Sequence, residues 1–287
     1  MKLNILIDKI WSASPKSLYT KLRSFATGAL AKSGSAGSAQ SALVTIRSGF
    51  AKGLHMYMPV PTPPTYEVMV EGTYEHYITE KIVEKMQPGG KVIWDIGAHI
   101  GYQTLAFANI VGDQGKVVAF EPNLNNIAWL TKNIDRNPAL KNRIIVRSEA
   151  VSDKTEQLTF NISKNTDDAT TSGGYIANVT PPLPDSSYEQ FSTVTVQATS
   201  IDELLAQGEL PVPDLLKIDV EGAEYSVVIG AKNTLTTLKP KLIIEIHTIP
   251  MMLYVSDFLK SIGYAIEILD EKDNSIFTKV IYAEYQS

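Results

Sequence analysis

The sequence of 287 residues contains no cysteine, so disulfide bonds, thiolate metal sites and cysteine nucleophiles are excluded. It also lacks any hydrophobic run approaching the ~18 residues of a membrane-spanning helix. Positive charge is scarce, since 26 Lys and Arg residues stand against 31 Asp and Glu residues. The net charge of -5 argues against a nucleic-acid-binding protein. Absence of cysteine is typical of a reducing compartment, and we expect a cytoplasmic protein.

The basic residues are unevenly distributed along the chain. Residues 1–50 carry seven basic residues and one acidic residue, a net +6, which leaves -11 on the rest of the chain. The start, MKLNILIDKIW, is typical of a basic amphipathic helix, and SGSAGSAQSA (33–42) of a flexible linker. We therefore predict a helical arm over 1–50 and a second domain over 51–287. The arm is expected to pack on that domain or on another copy, with peripheral membrane contact as the alternative.

From residue 91 onward, short apolar runs alternate with helix-length segments. Continuous runs of Val, Ile and Leu separated by helices predict a parallel sheet covered on both faces. The last two runs, 264–270 and 275–285, predict an antiparallel hairpin that closes the sheet. The predicted strands before that hairpin are 91–95, 116–120, 143–147, 214–219 and 241–247, and the predicted helices are 100–111, 123–136, 223–238 and 251–262.

Two segments interrupt this alternation. Residues 162–190 are polar, contain three prolines and two glycines, and show no helical or strand period. They predict an irregular insert over one end of the sheet, of the kind that forms lids and binding loops. Residues 55–80 predict a proline-rich turn followed by a helix that begins near Thr73.

The first predicted strand runs into DIGAHIG, which begins at Asp95. Ligands of open α/β sheets bind at the carboxyl ends of the strands. Gly97 and Gly101 are expected to adopt unusual dihedral angles and to let a ligand approach the backbone. The pattern D-x-G-x-x-x-G lacks the pyrophosphate-binding fingerprint G-x-G-x-x-G. Asp95 is better suited to a cationic group such as an amino-acid ammonium, although it would also serve as a helix cap.

The next two strands add acidic residues at the same edge. Glu121 follows the second strand, where a carboxylate can accept hydrogen bonds from the ribose hydroxyls of a nucleoside. Glu149 follows the third strand, close to where an adenine edge would lie. A glycine loop, a ribose carboxylate and no provision for phosphate together indicate S-adenosylmethionine. The alternative for Glu121 is a solvated strand end.

The sequence resembles the FkbM family of S-adenosylmethionine-dependent methyltransferases over roughly residues 70–265. The resemblance lies in DIGAHIGYQTLAFA, VVAFEPN, EAVSD, LLKIDVEGAEYSVVIGA and KPKLIIEIH. It implies a doubly wound, Rossmann-like α/β fold with a seven-stranded, mostly parallel sheet whose last strand is antiparallel. It also implies methyl transfer to a hydroxyl of a small molecule, sugar or glycolipid. Residues 162–190 match nothing in the family, so the resemblance does not imply which acceptor is methylated.

Cofactor-binding residues follow from these motifs. Tyr74 and Glu75, in GTYEHYIT, resemble the family's stretch before the first strand, although a solvated capping turn is the alternative. His99 stands where many members have asparagine. The predicted set is Tyr74, Glu75, Asp95, Gly97, Ala98, His99, Gly101, Glu121, Pro122, Glu149, Ala150 and Asp219.

Catalytic residues are predicted at the fourth and fifth strands. Asp219 ends the fourth strand, while Glu245 and His247 share a face of the fifth, so the three are expected to converge. We favour His247 or Asp219 as the general base for a hydroxyl acceptor. A structural role is the second interpretation. The third, less favoured, is a Mg²⁺ or Mn²⁺ ion held by the three side chains. Lys217 is predicted to be paired or to extend towards solvent, without a catalytic role.

Two other functions compete with the methyltransferase. A catalytically inactive scaffold would have no need of the intact acidic set. An NAD-linked oxidoreductase is disfavoured because the first loop lacks the pyrophosphate fingerprint.

Overall fold

The computed structural model describes residues 40–163, 175–176, 191–269 and 279–286. The predicted arm lies outside these residues as far as residue 39, and so does most of the predicted insert 162–190. Within the described ranges, no helix has the length and apolar character needed to cross a membrane.

The described elements alternate between strands and helices through most of the chain. In chain order they are β1 (Gln40–Thr45), β2 (His55–Val60), α1 (Pro64–Glu71), α2 (His76–Met86), β3 (Val92–Ile96), α3 (Tyr102–Ile110), β4 (Lys116–Phe120), α4 (Leu124–Asp135), α5 (Pro138–Lys141), β5 (Ile144–Arg147), β6 (Ala150–Val151), β7 (Glu156–Ser163), β8 (Tyr175–Ile176), β9 (Phe191–Thr199), α6 (Ile201–Ala206), β10 (Leu215–Ile218), α7 (Glu224–Gly230), α8 (Lys232–Thr237), β11 (Lys241–Ile246), α9 (Ile249–Ser261), β12 (Tyr264–Leu269) and β13 (Lys279–Tyr285).

A seven-stranded sheet in the order β12-β13-β11-β10-β3-β4-β5 forms the centre of the fold. The pairs β10–β11, β3–β10, β3–β4 and β4–β5 are parallel, and β13 is antiparallel to both of its neighbours. The predicted mixed sheet with an antiparallel last strand is therefore confirmed. Its continuous apolar strands are buried because helices cover both faces.

Alternate residues of the central strands enter two separate cores. Ile93, Leu215 and Ile243 belong to the core that also contains side chains of α1, α2 and α3. Trp94, Leu216 and Leu242 belong to the opposite core, with side chains of α6 to α9. Because side chains alternate along a strand, Asp95, Lys217 and Glu245 lie on the face covered by α1–α3.

The β1–β2 hairpin precedes the sheet. Its strands pair antiparallel from Gln40 opposite Val60 to Thr45 opposite His55. Met56 and Met58 are fully buried in the α1–α3 core. The hairpin spans residue 50, where the sequence analysis placed the domain boundary, so residues 40–50 are part of the folded body.

Three further elements differ from the predictions. Helix α1 replaces part of the predicted proline-rich turn, and the helix expected near Thr73 begins at His76. The helix predicted over 223–238 consists of α7 and α8, which are separated at Ala231. The predicted insert is flanked by β7 and β9, an antiparallel pair that ends with Ser163 opposite Phe191. These two strands join β6 and β8 in a four-stranded sheet.

Candidate active site

The loop between β3 and α3 contains three residues with left-handed backbone. The φ angles of Gly97, His99 and Gly101 are 89°, 50° and 94°, as expected for the two glycines. The two glycines were predicted to let a ligand approach the backbone. In the structure, other atoms of the protein instead occupy the space that a side chain would need. A Cβ at Gly97 would lie 1.8 Å from the carbonyl oxygen of Asp219, and one at Gly101 would lie 2.4 Å from Leu130 Cδ1.

Asp95 lies beneath this loop. Its side chain is fully buried, and its Oδ2 accepts a hydrogen bond from the Thr104 hydroxyl at 2.5 Å. Its Oδ1 lies 3.6 Å from Lys217 Nζ. Burial raises the pKa of Asp95, and the charge of Lys217 opposes that shift. With no exposed surface, the Asp95 carboxylate supports the loop from beneath, and its contact with the cofactor stays a prediction.

Lys217 connects the loop to the end of β10. It is 3% exposed and donates hydrogen bonds from Nζ to the Gly97 carbonyl at 3.3 Å and to Asp219 Oδ2 at 3.1 Å. The pKa of Lys217 is raised because Asp219 and Asp95 outweigh the effect of burial, which alone would lower it. Of the two predicted alternatives, the structure therefore shows the paired lysine.

Glu121 follows β4 and touches the same loop from the other side. Its Oε2 accepts a hydrogen bond from the His99 backbone N–H at 2.9 Å, and its Oε1 accepts from the Asn123 N–H at 2.9 Å. It is 5% exposed, which does not match the alternative of a solvated strand end. Burial raises the pKa of Glu121 to about 7, against the lowering effect of these hydrogen bonds.

Glu149 and Ala150 lie beyond the end of β5. Arg147 Nε donates a hydrogen bond to Glu149 Oε2 at 3.1 Å, and this hydrogen bond is the main reason why the pKa of Glu149 is lowered. Ala150 begins β6 and is paired with Ala198 of β9. The strand register, with Phe120 opposite Arg147, places this segment beside the strand that leads into Glu121 and Pro122.

Asp219, Glu245 and His247 converge as predicted. One ligand-type atom from each side chain lies within 4.8 Å of the others. His247 Nε2 is 3.7 Å from Asp219 Oδ1, 3.5 Å from Glu221 Oε2 and 3.9 Å from Glu245 Oε1. We call Asp219, Glu245 and His247, the three side chains predicted to be catalytic, the catalytic cluster.

The sequence analysis missed Glu224 as a member of this site. It lies in the first turn of α7, is fully buried, and its Oε1 is 2.7 Å from His247 Nδ1. The same oxygen accepts a hydrogen bond from the Gly222 N–H at 2.7 Å. The signal for it is the third acidic residue of DVEGAE, three positions after Glu221, at the start of an apolar helix.

The cluster perturbs the pKa of each member. Burial alone would lower the pKa of His247, but the hydrogen bond to Glu224 and the charges of Glu221 and Asp219 raise it to about 10. Burial, followed by the charges of Asp219 and Glu75, raises the pKa of Glu245 to about 8. Burial would raise the pKa of Asp219, yet Lys217 and His247 hold it below its usual range.

Tyr74 and Glu75 border the cluster at the start of α2. The Tyr74 ring packs edge-on against Tyr102, with centroids 5.7 Å apart. Glu75 Oε2 accepts a hydrogen bond from Gln103 Nε2 at 3.1 Å. Burial, and then the charge of Asp219, raises the pKa of Glu75. Glu75 is therefore not the solvated residue of the capping-turn alternative.

Comparison with protein families matches residues 95–266 to the family described as "Methyltransferase FkbM domain". The chain belongs to the FkbM family of S-adenosylmethionine-dependent methyltransferases. Its seven-stranded sheet is the Rossmann-like fold of such enzymes. Residues 32–157 of this FkbM-family chain also match the family described as "Protein-L-isoaspartate(D-aspartate) O-methyltransferase (PCMT)".

Two curated relatives are named for methyl transfer involving sugars or a 2-O position. The hexuronic acid methyltransferase AglP of Haloferax volcanii is 31% identical over 159 residues, which cover 54% of this chain and 56% of the relative. The 2-O-methyltransferase NoeI of Sinorhizobium fredii is 26% identical over 162 residues, covering 55% and 65%. The FkbM-family chain thus spans less than two thirds of the length of these relatives.

Among solved structures, the methyltransferase FkbM from Methylobacillus flagellatus has a TM-score of 0.49 and 20% identity, covering 67% of this chain and 43% of that one. A SAM-dependent O-methyltransferase from Thermotoga maritima has a TM-score of 0.47 and 13% identity, covering 85% of each chain.

Proposed function

We propose that this chain transfers a methyl group from S-adenosylmethionine to a hydroxyl of a sugar, glycolipid or other small molecule. The observation that carries the proposal is the convergence of Asp219, Glu245 and His247 beside the loop between β3 and α3 (residues 97–101), which we call the motif loop. Family membership supports the reaction class. The names of AglP and NoeI, a hexuronic acid methyltransferase and a 2-O-methyltransferase, support a sugar as the acceptor.

The side chains at this edge suit a cationic nucleoside. Glu121 is a buried carboxylate at the end of β4, where it would accept hydrogen bonds from ribose hydroxyls. Glu75 and Asp219 provide negative charge next to the motif loop, which favours the ammonium and sulfonium groups of the cofactor. A phosphate would be repelled by the same carboxylates, which argues against NAD. When bound, S-adenosylmethionine supplies an electrophilic methyl group.

Glu245 is the side chain best suited to accept the proton of an acceptor hydroxyl. A base works best when its pKa lies near the working pH, and the pKa of Glu245 is about 8. His247, with a pKa of about 10, holds its proton at neutral pH and serves as the positive charge between the carboxylates. Glu224 holds the ring through Nδ1. This assignment differs from the initial preference for His247 or Asp219 as the base.

A divalent cation on the catalytic cluster is the alternative mechanism. The cluster offers two carboxylates and an imidazole, a donor set that suits Mg²⁺ or Mn²⁺. Methyl transfer should persist in EDTA if Glu245 acts as the base. Activity that disappears in EDTA and returns with Mg²⁺ or Mn²⁺ would establish the cation instead.

The function is tested with S-adenosylmethionine labelled on its methyl group and a panel of neutral sugars, uronic acids and glycolipids. We expect label on a sugar in a form that survives mild base, because a methyl ether is stable where a methyl ester is hydrolysed. Glu245→Gln should bind the cofactor in calorimetry yet lose transfer. If calorimetry shows no cofactor binding to the unaltered chain, the scaffold hypothesis replaces the enzyme.

A further inference from the structure

Charge is segregated along the chain more sharply than its total suggests. Residues 1–39 contain six basic residues and one acidic residue, and residues 40–63 add Arg47 and Lys52 with no Asp or Glu. Because the whole chain carries -5, residues 64–287 carry -12. The β1–β2 hairpin is therefore a basic element attached to an acidic body.

Helix α4 adds cations and aromatic rings to the outer face of this hairpin. Lys132 Nζ lies 3.5 Å from the ring centroid of Tyr57 and 5.4 Å from that of Trp129. The Arg136 guanidinium carbon lies 5.1 Å from the Tyr57 ring centroid, and its NH2 group donates a hydrogen bond to the Tyr57 hydroxyl at 2.5 Å. Leu43, directly opposite Tyr57 in the ladder, is 47% exposed. We call these five residues the hairpin patch.

The hairpin patch is held rigidly by two asparagines of the same helical region. Asn133 Oδ1 accepts a hydrogen bond from the Tyr57 N–H at 2.7 Å, and Asn137 Oδ1 accepts from the His55 N–H at 2.9 Å. The outer edge of β2 is thereby satisfied by side chains, so it is not available for pairing with another strand. What remains for a partner is the cationic and aromatic face.

The composition of the hairpin patch is that of a membrane interface. Tyr and Trp concentrate at the headgroup level of bilayers, and Lys and Arg are attracted to anionic lipid surfaces. Ser41, near the start of β1, accepts a hydrogen bond from Lys132 Nζ at 3.2 Å, which joins the cations of α4 to the hairpin. The exposed Leu43 favours a lipid surface over a nucleic acid, which the acidic body would also repel.

We propose that the hairpin patch docks the protein on an anionic lipid surface. The proposal is independent of methyl transfer, since docking requires neither cofactor nor acceptor. The sequence analysis gave peripheral membrane contact as an alternative for the arm over residues 1–50. This proposal places a membrane contact on the folded body.

Vesicle binding by the full chain tests the proposal. We expect co-sedimentation with vesicles of phosphatidylcholine and phosphatidylglycerol, little with pure phosphatidylcholine, and a decline as salt rises. The double variant Lys132→Gln, Arg136→Gln should bind about ten-fold more weakly, since each cation near the surface contributes to attraction. Lys232→Gln, Lys260→Gln is the matched control, because it removes the same charge from α8 and α9 on the opposite side of the sheet. Thermal unfolding of both variants checks their fold.

Fluorescence gives a second measurement. In a Trp11→Phe background, the remaining tryptophans are the fully buried Trp94 and the patch residue Trp129. We expect the emission to shift to shorter wavelength with the anionic vesicles only. Equal binding by the double variant and its control, equal binding to both vesicle types, or tighter binding to duplex RNA or DNA than to vesicles would overturn the proposal.

Discussion

At the scale of single residues, the most consequential feature is a buried lysine shared by two carboxylates, one fully buried and one partly exposed. Lys217 lies between Asp95 of the neighbouring strand and Asp219 at the end of its own strand. Removing a carboxylate from water costs free energy unless it is paired. The single Lys217 cation therefore stabilises both Asp95 of DIGAHIG and Asp219 of DVEGAE. The sequence predicted a paired Lys217 as one of two alternatives. It did not predict that Lys217 is buried, because the sequence of a strand does not show how completely the rest of the fold covers its end.

Lys217→Met should destabilise the protein by about 3–5 kcal/mol, the usual cost of leaving a buried charge without its partner. Urea unfolding provides the measurement. Lys52→Met, at an exposed position in the hairpin, is the control and should change the free energy of unfolding by less than ~0.5 kcal/mol. A loss as small as that control's would mean that Asp95 and Asp219 do not depend on Lys217.

The pH dependence of turnover follows from Glu245 and His247. Glu245 must be ionised to accept a proton, so turnover should fall as pH drops below about 8. His247 must keep its proton to balance the carboxylates, so turnover should also fall as pH rises above about 10. Measured kcat should therefore peak between these values. A flat profile in the unaltered enzyme would contradict both assignments.

Glu121 should make cofactor affinity depend on pH. Its carboxyl group, with a pKa of about 7, accepts hydrogen bonds more strongly when ionised, so affinity should rise as pH increases through 7. Glu121→Ala should weaken binding by about 1–3 kcal/mol, measured by calorimetry. Glu71→Ala, an exposed acidic residue at the end of α1, is the control. Identical affinity in the two variants would remove Glu121 from the binding site.

At the scale of elements, strands with continuous apolar sequences were predicted, whereas elements with other sequence patterns were missed. The strands β3, β4, β10 and β11 were predicted because they are buried on both faces and therefore continuously apolar. The strands β7 and β9 alternate polar and apolar residues, as half-buried strands do, and were missed because the prediction relied on continuous apolar runs. Helix α1 was missed because Pro63 and Pro64 suggested a turn, whereas proline also suits the first position of a helix.

The contact between the motif loop and the end of β10 can be tested with a pair of glycine variants. Gly97→Ala should cost about 3–5 kcal/mol, because its Cβ would overlap the Asp219 carbonyl oxygen. Gly53→Ala has a similar φ of 84° but no atom within 4 Å of the added Cβ, so it should cost only about 1–2 kcal/mol. Chemical denaturation measures both. Equal losses would show that backbone strain alone matters and that the contact does not.

At the scale of the whole molecule, the fold and the convergence of the catalytic cluster were predictable from the sequence. Each strand end carries its acidic residue, and parallel strands bring these ends to one edge. The roles within the cluster were not predictable, because they depend on burial and on charges from distant segments. Glu75 just before α2, Asp219 just after β10 and His247 just after β11 influence the pKa of Glu245 together, and no local sequence pattern shows their combined effect.

Cofactor binding should stabilise the whole folded body. At about 100 times its dissociation constant, a ligand that binds only the folded state adds about 2.7 kcal/mol. For a body of this size we expect a rise in Tm of about 5–10 °C, measured by scanning calorimetry with S-adenosylmethionine. NAD at the same concentration is the control and should leave Tm unchanged. A larger rise with NAD would reverse the choice of cofactor.

The ladder between β7 and β9 has a consequence for engineering. Ser163 and Phe191 face each other, so the described strands on either side of residues 164–190 meet at one point of the ladder. The entropy of closing a loop grows only slowly with its length. Replacing residues 164–190 with the equivalent segment of a relative should therefore leave this ladder in place, and the acceptors that such chimaeras methylate would test the predicted binding role of the segment.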